Sequence, residues 1–149
     1  MADGNRVDCL PSRVHSVANH AGRLIEVRVA SPLTIQEAQQ LGGELLAAMR
    51  NLSGQYVGVV DLLGAHVFTP EVAGTLINLL SGNAPHVIRT AMLIGDSAIF
   101  ALQVERGIRS SDPEKRRAFR SPEELTAWLG QVLTAEEKAA LDRFLGGAR

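Results

Sequence analysis

The densest apolar stretch of the chain, Tyr56 to Leu80, predicts a strand, a loop and a helix in that order. Val57 to Val60 is a short run rich in β-branched residues, which is typical of a buried strand, and Asp61 ends it. After the loop, apolar residues recur at helical spacing. They are Val72, Ala73, Leu76, Ile77, Leu79 and Leu80. Polar residues gather where the loop meets the helix, and sites in α/β folds tend to lie at that end of the strands.

The pattern before this stretch predicts a hairpin and a helix. Residues 14–18 and 23–29 are extended candidates joined by a glycine-containing turn. The second candidate alternates, with Ile25, Val27 and Val29 on one face and Leu24, Glu26 and Arg28 on the other. A helix from about residue 34 to 51 follows, opened by a capping box of Thr34 and Glu37.

The pattern after the central stretch continues the alternation of strands and helices. Residues 86–94 predict a buried strand, and Asp96-Ser97 caps the helix that follows. The predicted apolar face of that helix is Ile99, Phe100, Ala101, Leu102, Val104 and Ile108. A short strand near Ala118-Phe119, a helix opened by Ser121-Pro122 and a last helix opened by the Thr134–Glu137 capping box complete the order. The order predicts an α/β fold, with a mostly parallel sheet of four to five strands, an antiparallel N-terminal edge strand, and four to five helices.

The length of 149 residues is that of one domain with a core of its own. We expect a flexible leader over residues 1–12, the domain over 13–132, and a C-terminal helix over 133–149 that packs on the domain or extends it. The single cysteine, Cys9, allows no intrachain disulfide. No run approaches the ~18 to 20 apolar residues of a membrane span, and the N-terminus lacks the layout of a signal peptide. We therefore expect a cytoplasmic protein.

Charge and aromatic content argue against nucleic acid as a partner. The formal net charge is −1, so no whole-protein attraction to a polyanion is expected. The aromatic fraction of 4% offers no stacking platform for single strands. Basic residues concentrate between Arg106 and Arg120, where they form either a solvated helix end or a patch that meets an acidic partner.

Recognisable catalytic patterns are absent from the sequence. It contains no phosphate-binding glycine loop, no GxSxG elbow and no HExxH motif. The histidines show no ligand pair at i, i+3 or i, i+4, so we expect no metal site. They are His15, His20, His66 and His86. We expect no catalytic residues, no cofactor and no enzymatic activity.

A few polar residues of the central stretch admit two interpretations. His66, near Asp61 and Thr69, is either part of an acid/base set or a loop histidine with local hydrogen bonds, and we favour the loop histidine. We interpret Asp61 as a cap for the backbone of its own loop. Thr69-Pro70-Glu71 is either an anion-sensitive or phospho-regulated surface or plain helix capping, and the residue types favour capping.

The central stretch resembles that of STAS domains, the fold of anti-sigma factor antagonists. In that family two apolar residues precede Asp-Leu-Ser-Gly, and Asp-Ser-Ser-Gly opens a helix several residues later. The matching residues are Val59, Val60, Asp61, Leu62, Gly64 and, within the helix, Gly74. The order of elements over about residues 13–132 also resembles the family. The resemblance implies a STAS-like fold.

Small bacterial STAS/CRAL-TRIO-like proteins of unassigned function are similar over more features. They combine a strand ending in Asp, a loop, an apolar helix, and a late Phe before a helix that holds Ala-Trp-Leu. The corresponding residues here are Asp61, Phe119 and Ala127-Trp128-Leu129.

The chain departs from the antagonists at the residue through which that family is regulated. A partner kinase phosphorylates the second serine of Asp-Ser-Ser-Gly in those proteins. Alignment on Asp61 and Gly64 puts Thr69, Pro70 and Glu71 at the first three positions, with Glu71 at the phosphorylated one. A glutamate cannot be switched, and it carries less charge and fewer acceptors than phosphate. Kinase control at this position is therefore not expected.

Two functions follow as expectations. The first is a non-enzymatic, cytoplasmic STAS-like regulatory module that contacts an unidentified protein partner and is able to form a homodimer. Its expected contact surface runs from His66 to Leu76. The site residues are Asp61, His66, Thr69, Glu71 and Thr75. The alternative is a small-molecule or lipid carrier of the CRAL-TRIO-like type, in which apolar helices cover a ligand pocket against the sheet.

Overall fold

The computed structural model describes residues 14–52 and 54–147, and the predicted leader lies outside them. The strands are β1 (His15–Ala21), β2 (Leu24–Val29), β3 (Tyr56–Asp61), β4 (Val87–Leu93) and β5 (Arg116–Phe119). The α-helices are α1 (Ile35–Arg50), α2 (Pro70–Asn83), α3 (Ala98–Ser111), α4 (Pro122–Gly130) and α5 (Ala135–Gly147). One short 3-10 helix, Ala84–His86, joins α2 to β4.

The strands form one sheet in the order β1-β2-β3-β4-β5. β1 pairs antiparallel with β2, and the other neighbours pair in parallel. The parallel neighbours are joined through α1, α2 and α3, and crossovers of one hand carry these helices to the same face. The α/β layout that the hydrophobic pattern predicts is confirmed.

Each face of the sheet has a hydrophobic core of its own. On the first face, β2 side chains pack with residues from α1, α2 and α3, including Ile25, Leu41, Val72 and Phe100. On the second face, α4 and α5 pack against the sheet through Leu125, Leu129, Leu141 and Phe144, among others. The molecule therefore has three layers, with the sheet in the middle.

The helices α4 and α5 explain why one face of β2 carries both apolar and charged residues. Leu24, Glu26 and Arg28 lie on the side covered by α4 and α5, and Leu24 is fully buried there. Glu26 is also buried, and its carboxylate lies 2.9 Å from His20 Nδ1. Leu24 thus breaks the alternation of polar residues because this face is an interior face as well.

The hairpin turn is tighter than the sequence pattern predicts. Residues 19–21, expected in the turn, belong to β1, and Ala21 pairs with Leu24. Gly22 adopts φ +47°, a left-handed conformation that glycine takes without strain. The amide of Asn19 donates to the carbonyls of Gly22 at 3.0 Å and Leu24 at 2.7 Å. These bonds close the turn.

The predicted apolar face of α3 is wrong in part. Ile99 is 70% exposed and Leu102 is 56% exposed, whereas Phe100, Ala101 and Ile108 are buried as expected. The helix is rotated so that Gly107 faces α2, where a Cβ on Gly107 would lie 3.5 Å from Ile77 Cγ1. In this orientation of α3, Ile99 and Leu102 face the solvent.

Glu137 joins α5 to the turn between β1 and β2. Its carboxylate accepts hydrogen bonds from the backbone N–H of Arg23 at 2.7 Å, from the Arg23 guanidinium at 3.2 and 3.3 Å, and from the Thr134 N–H at 2.9 Å. The reciprocal bond from the Glu137 N–H to Thr134 Oγ1 completes the predicted capping box. Burial raises the pKa of Glu137, but the bonds from Arg23 and Thr134 and the charge of Arg23 outweigh it and lower that pKa to about 2.

We expect Glu137→Gln to lower the free energy of unfolding at pH 7 by about 3 kcal/mol. A carboxyl with a lowered folded-state pKa contributes stability above its unfolded-state pKa, and this contribution is lost as the pH falls toward 2. The difference between wild type and Glu137→Gln should therefore shrink between about pH 5 and pH 2. Urea unfolding across this range measures it, and a difference that stays constant with pH would contradict the assignment.

Candidate interaction surface at the carboxyl edge of the sheet

The first of the five predicted site residues, Asp61, lies apart from the rest. Its side chain is buried and points to the face covered by α5, where Oδ2 lies 3.3 Å from Arg28 Nε. Oδ1 accepts the N–H of Leu63 at 2.9 Å, so the interpretation of Asp61 as the cap of its own loop is confirmed. Arg28 also donates to the Phe144 carbonyl at 2.7 Å and stacks on the Phe144 ring at 4.1 Å. Asp61 is thus part of the contact between the loop, the sheet and α5.

The other four predicted residues lie together on the loop after β3 and the first turns of α2. Thr69 is the N-cap of α2, and its hydroxyl accepts the Val72 N–H at 3.3 Å, which confirms the capping interpretation. Glu71 is exposed in the first turn, and the Thr75 hydroxyl donates to its carbonyl at 3.1 Å. The exposed His66 is held by its backbone N–H, which donates to Ser31 Oγ at 2.8 Å.

The alternative of an acid/base set is not supported by the geometry. Asp61 faces α5 and is occupied by Arg28, and the Thr69 hydroxyl is occupied by the start of α2. Within residues 14–52 and 54–147, no hydrogen bond joins the His66 side chain to either of them. The three side chains therefore do not form a hydrogen-bonded acid/base set in the described part of the chain.

Exposed apolar side chains concentrate at the same edge, which the sequence pattern does not reveal. The large hydrophobic residues exposed in the described part of the chain are Leu46, Leu63, Val67, Ile99 and Leu102. All except Leu46 lie on the loop after β3 or the first two turns of α3. We name the set of Leu63, His66, Val67, Thr69, Glu71, Ile99 and Leu102 the carboxyl-edge surface.

The loop and α3 are fastened to each other through Phe68. Its backbone N–H donates to Gln103 Oε1 at 2.8 Å, and its carbonyl accepts from Gln103 Nε2 at 2.9 Å. The Phe68 ring meets the Phe100 ring edge to face, with centroids 5.6 Å apart. Because both backbone groups of Phe68 are held, neighbouring Val67 is presented beside the first turns of α3. Gln103 is the one polar residue within residues 98–104, the otherwise apolar first half of α3, and that is the only sequence signal for this contact.

An apolar cavity of about 130 Å³ lies behind this surface, between the sheet and α1, α2 and α3. We name it the α2 cavity. Its walls include Leu41, Val60, Leu76 and Val104, and the one polar side chain among its lining residues is Gln103. Only the two ends of α2 are buried, at Val72 and Asn83. The middle of α2 is half-buried, and Leu76, Leu79 and Leu80 both pack against the first core and line the α2 cavity.

Two kinds of site are missing from the part of the chain that the structure describes. No group of three or more His, Cys, Asp or Glu side chains is placed to hold a metal ion. None of the helices in that part has both the length and the apolar character needed to cross a bilayer.

Comparisons with protein-family models, with curated proteins and with solved structures find no match to this chain. The resemblance to STAS domains therefore remains a prediction from the sequence.

We expect Asp61→Ala to lower the free energy of unfolding by about 2 kcal/mol, because it leaves Arg28 and the Leu63 N–H without their acceptor. Glu71→Ala is the matched control, since it removes an exposed carboxylate with an expected cost within about 0.5 kcal/mol. Urea unfolding of both variants at pH 7 measures the two costs. Equal losses would show that Asp61 does not have the structural role assigned to it.

Proposed function

We propose that this chain is a non-enzymatic, cytoplasmic STAS-like interaction module that contacts a protein partner through the carboxyl-edge surface. The observation that carries the proposal is the concentration of exposed apolar side chains at one edge of the sheet. Scattered single hydrophobic residues need no explanation, whereas a group on one surface is typical of a protein-contact site. Leu63, Val67, Ile99 and Leu102 form such a group around the start of α2.

The order of the loop supports the same proposal. Hydrogen bonds hold the loop at His66, Phe68 and Thr69, so a partner would meet a surface that is already arranged. A surface held in its binding conformation loses less conformational entropy on association than a flexible one. Exposed Glu71 adds a constant negative charge at the rim. We infer a partner with an apolar patch and a basic group beside it.

The proposed surface is tested by Val67→Arg and Ile99→Arg, each of which places a charge in the apolar group. We expect at least a tenfold loss of affinity for the partner, with an unchanged melting temperature because both side chains are already exposed. Partners are captured from the native cell with wild type, identified by mass, and their affinities measured by calorimetry. Glu71→Arg, which reverses the rim charge, should weaken the same partner.

Leu46→Arg is the matched control, because Leu46 is exposed to a similar degree but lies on α1. It should retain the partner of the wild type. Identical partners and affinities for wild type, Val67→Arg and Ile99→Arg would remove this surface from consideration. If the wild type is itself a homodimer in sedimentation, the same variants distinguish a dimer through this surface from one through the outer side of β1.

The α2 cavity favours a second candidate function, the carriage of a small apolar ligand. Its volume of about 130 Å³ is below the range of about 300–1,000 Å³ for sites that hold drug-sized ligands. An apolar cavity of about 150 Å³ in another protein admits benzene or xenon. In the described conformation, this cavity thus has room for a molecule of benzene size, and a lipid chain would require α2 to move. The carrier is therefore the weaker of the two proposals.

Ala73→Leu tests the carrier, because Ala73 lines the α2 cavity and the larger side chain would fill it. We expect benzene to raise the melting temperature of the wild type and to leave Ala73→Leu unchanged. Ala139→Leu adds the same volume at an exposed position of α5 and should respond as the wild type does. Native mass spectrometry of protein purified from its own host should show a bound ligand. No ligand and no benzene effect in the wild type would reject the carrier.

A further inference from the structure

Arg116, the first residue of β5, is buried in a way that the fold alone does not explain. Only 2% of its surface is exposed, and it is the largest of the fully buried side chains. Its Nε, Nη1 and Nη2 atoms have no hydrogen-bond partner among the described residues. A buried charge is costly unless it is paired, and buried N–H groups without acceptors add to that cost. Such a group in a native structure calls for a specific explanation.

The residues beside Arg116 form a polar row across the sheet, on the face covered by α1, α2 and α3. Gly58 pairs with Thr90 and Thr90 with Arg116, so the three residues lie side by side on one face. A Cβ on Gly58 would lie 3.1 Å from Thr90 Oγ1 and 3.4 Å from the Tyr56 ring. Glycine inside a central strand often marks a place where another group approaches the backbone closely. We name Tyr56, Gly58, Thr90 and Arg116 the amino-edge cluster.

The charges near this cluster do not satisfy the guanidinium. Burial lowers the pKa of Arg116, and its electrostatic interactions with Tyr56 and Asp112 oppose that effect only in part. Burial raises the pKa of Tyr56, so its phenol is neutral at pH 7 and cannot act as a counter-ion. Asp112 lies 3.8 Å from Lys115, which competes for its charge. The negative end of the α3 dipole favours a nearby cation, but the dipole does not supply an acceptor in contact with the guanidinium.

The unsatisfied groups of this region are all donors. His15 and Glu44 pair with each other at 3.3 Å, and among the other described residues the buried side-chain atoms without a partner are Asn83 Nδ2 and the three Arg116 nitrogens. Asn83 ends α2, and the 3-10 helix after it leads into β4 at the same end of the sheet. The three Arg116 nitrogens would all be satisfied by a group that accepts hydrogen bonds, and a negatively charged one would also neutralise the buried charge.

We propose that the amino-edge cluster binds an oxyanion, a phosphate or carboxylate group, through the guanidinium of Arg116. The planar guanidinium presents parallel N–H groups that match two oxygens of such an anion. The anion would neutralise the buried charge and accept the free donors at once. Because Arg116 is covered, the amino edge must open locally for the anion to enter. The site lies at the opposite end of the strands from the carboxyl-edge surface and does not depend on the proposed function.

The test compares the melting temperatures of wild type and Arg116→Met in sodium phosphate, sodium acetate and sodium chloride at matched ionic strength. We expect phosphate or acetate to raise the melting temperature of the wild type progressively, by about 5 °C near saturation, and to leave Arg116→Met unaffected. The anion that raises the melting temperature of the wild type identifies the bound group as a phosphate or a carboxylate. Non-specific stabilisation by phosphate acts on both proteins equally, so the difference between them isolates the site.

The proposal also predicts the direction in which Arg116→Met changes the melting temperature when chloride is the only anion present. Arg116→Met removes an unpaired buried charge, so its melting temperature in chloride should equal or exceed that of the wild type. A lower melting temperature combined with equal anion responses would show that Arg116 has a purely structural role, and the proposal would be wrong.

If Arg116→Met does not fold, the wild type still provides a decisive measurement. The Nε–H resonance of Arg116, followed by NMR during titration with phosphate and with acetate, should shift to a saturating value with one of them. Arg116→Lys keeps the positive charge but loses the planar pair of N–H donors, so it should bind the anion at least tenfold more weakly. An Arg116 resonance that does not respond to either anion would overturn the proposal.

Discussion

The burial of charged side chains beneath α5 is the constraint on which the rest of the structure depends. Arg28, Asp61 and Glu137 are ionisable groups turned toward the second face of the sheet, where exposure to water is low or partial. They are tolerated there because each meets a charged partner and backbone groups. Phe144 supplies a carbonyl and a ring to Arg28, so α5 has to pack at one position along the sheet. Apolar contacts alone are less directional and would fix the position of α5 along the sheet less strictly.

Once both faces are covered, the two ends of the strands take on different characters. The carboxyl end carries exposed apolar side chains on an ordered loop, and the amino end carries buried donors around Arg116. α2 connects these regions, since it starts at the cap residue Thr69, covers the α2 cavity and ends at Asn83. The half-buried middle of α2 packs against the first core and also lines the α2 cavity.

The sequence predicts much of the candidate site where the signals are local. The cap by Thr69 and the loop contact of Asp61 depend on residues a few positions apart, so the residue types suffice to predict them. The exposure of Ile99 and Leu102 depends on the rotation of α3, which buries Gly107 and Ile108 instead. The link from Phe68 to Gln103 spans 35 positions and has no local signature. These features needed the packed structure.

By itself the sequence determined the order of strands and helices, their caps and the α/β class. Hydrophobic periodicity and capping residues act between positions that are close in the sequence, so they can be recognised without the tertiary structure. The tertiary structure alone decided that the second face of β2 is also interior and how α3 is rotated. Glu26 and Arg28 follow a pattern that is typical of a solvent face, yet α4 and α5 return over them. Whether a polar residue is exposed depends on the partner that covers it, and that partner lies more than 100 positions away along the chain in the case of Arg28.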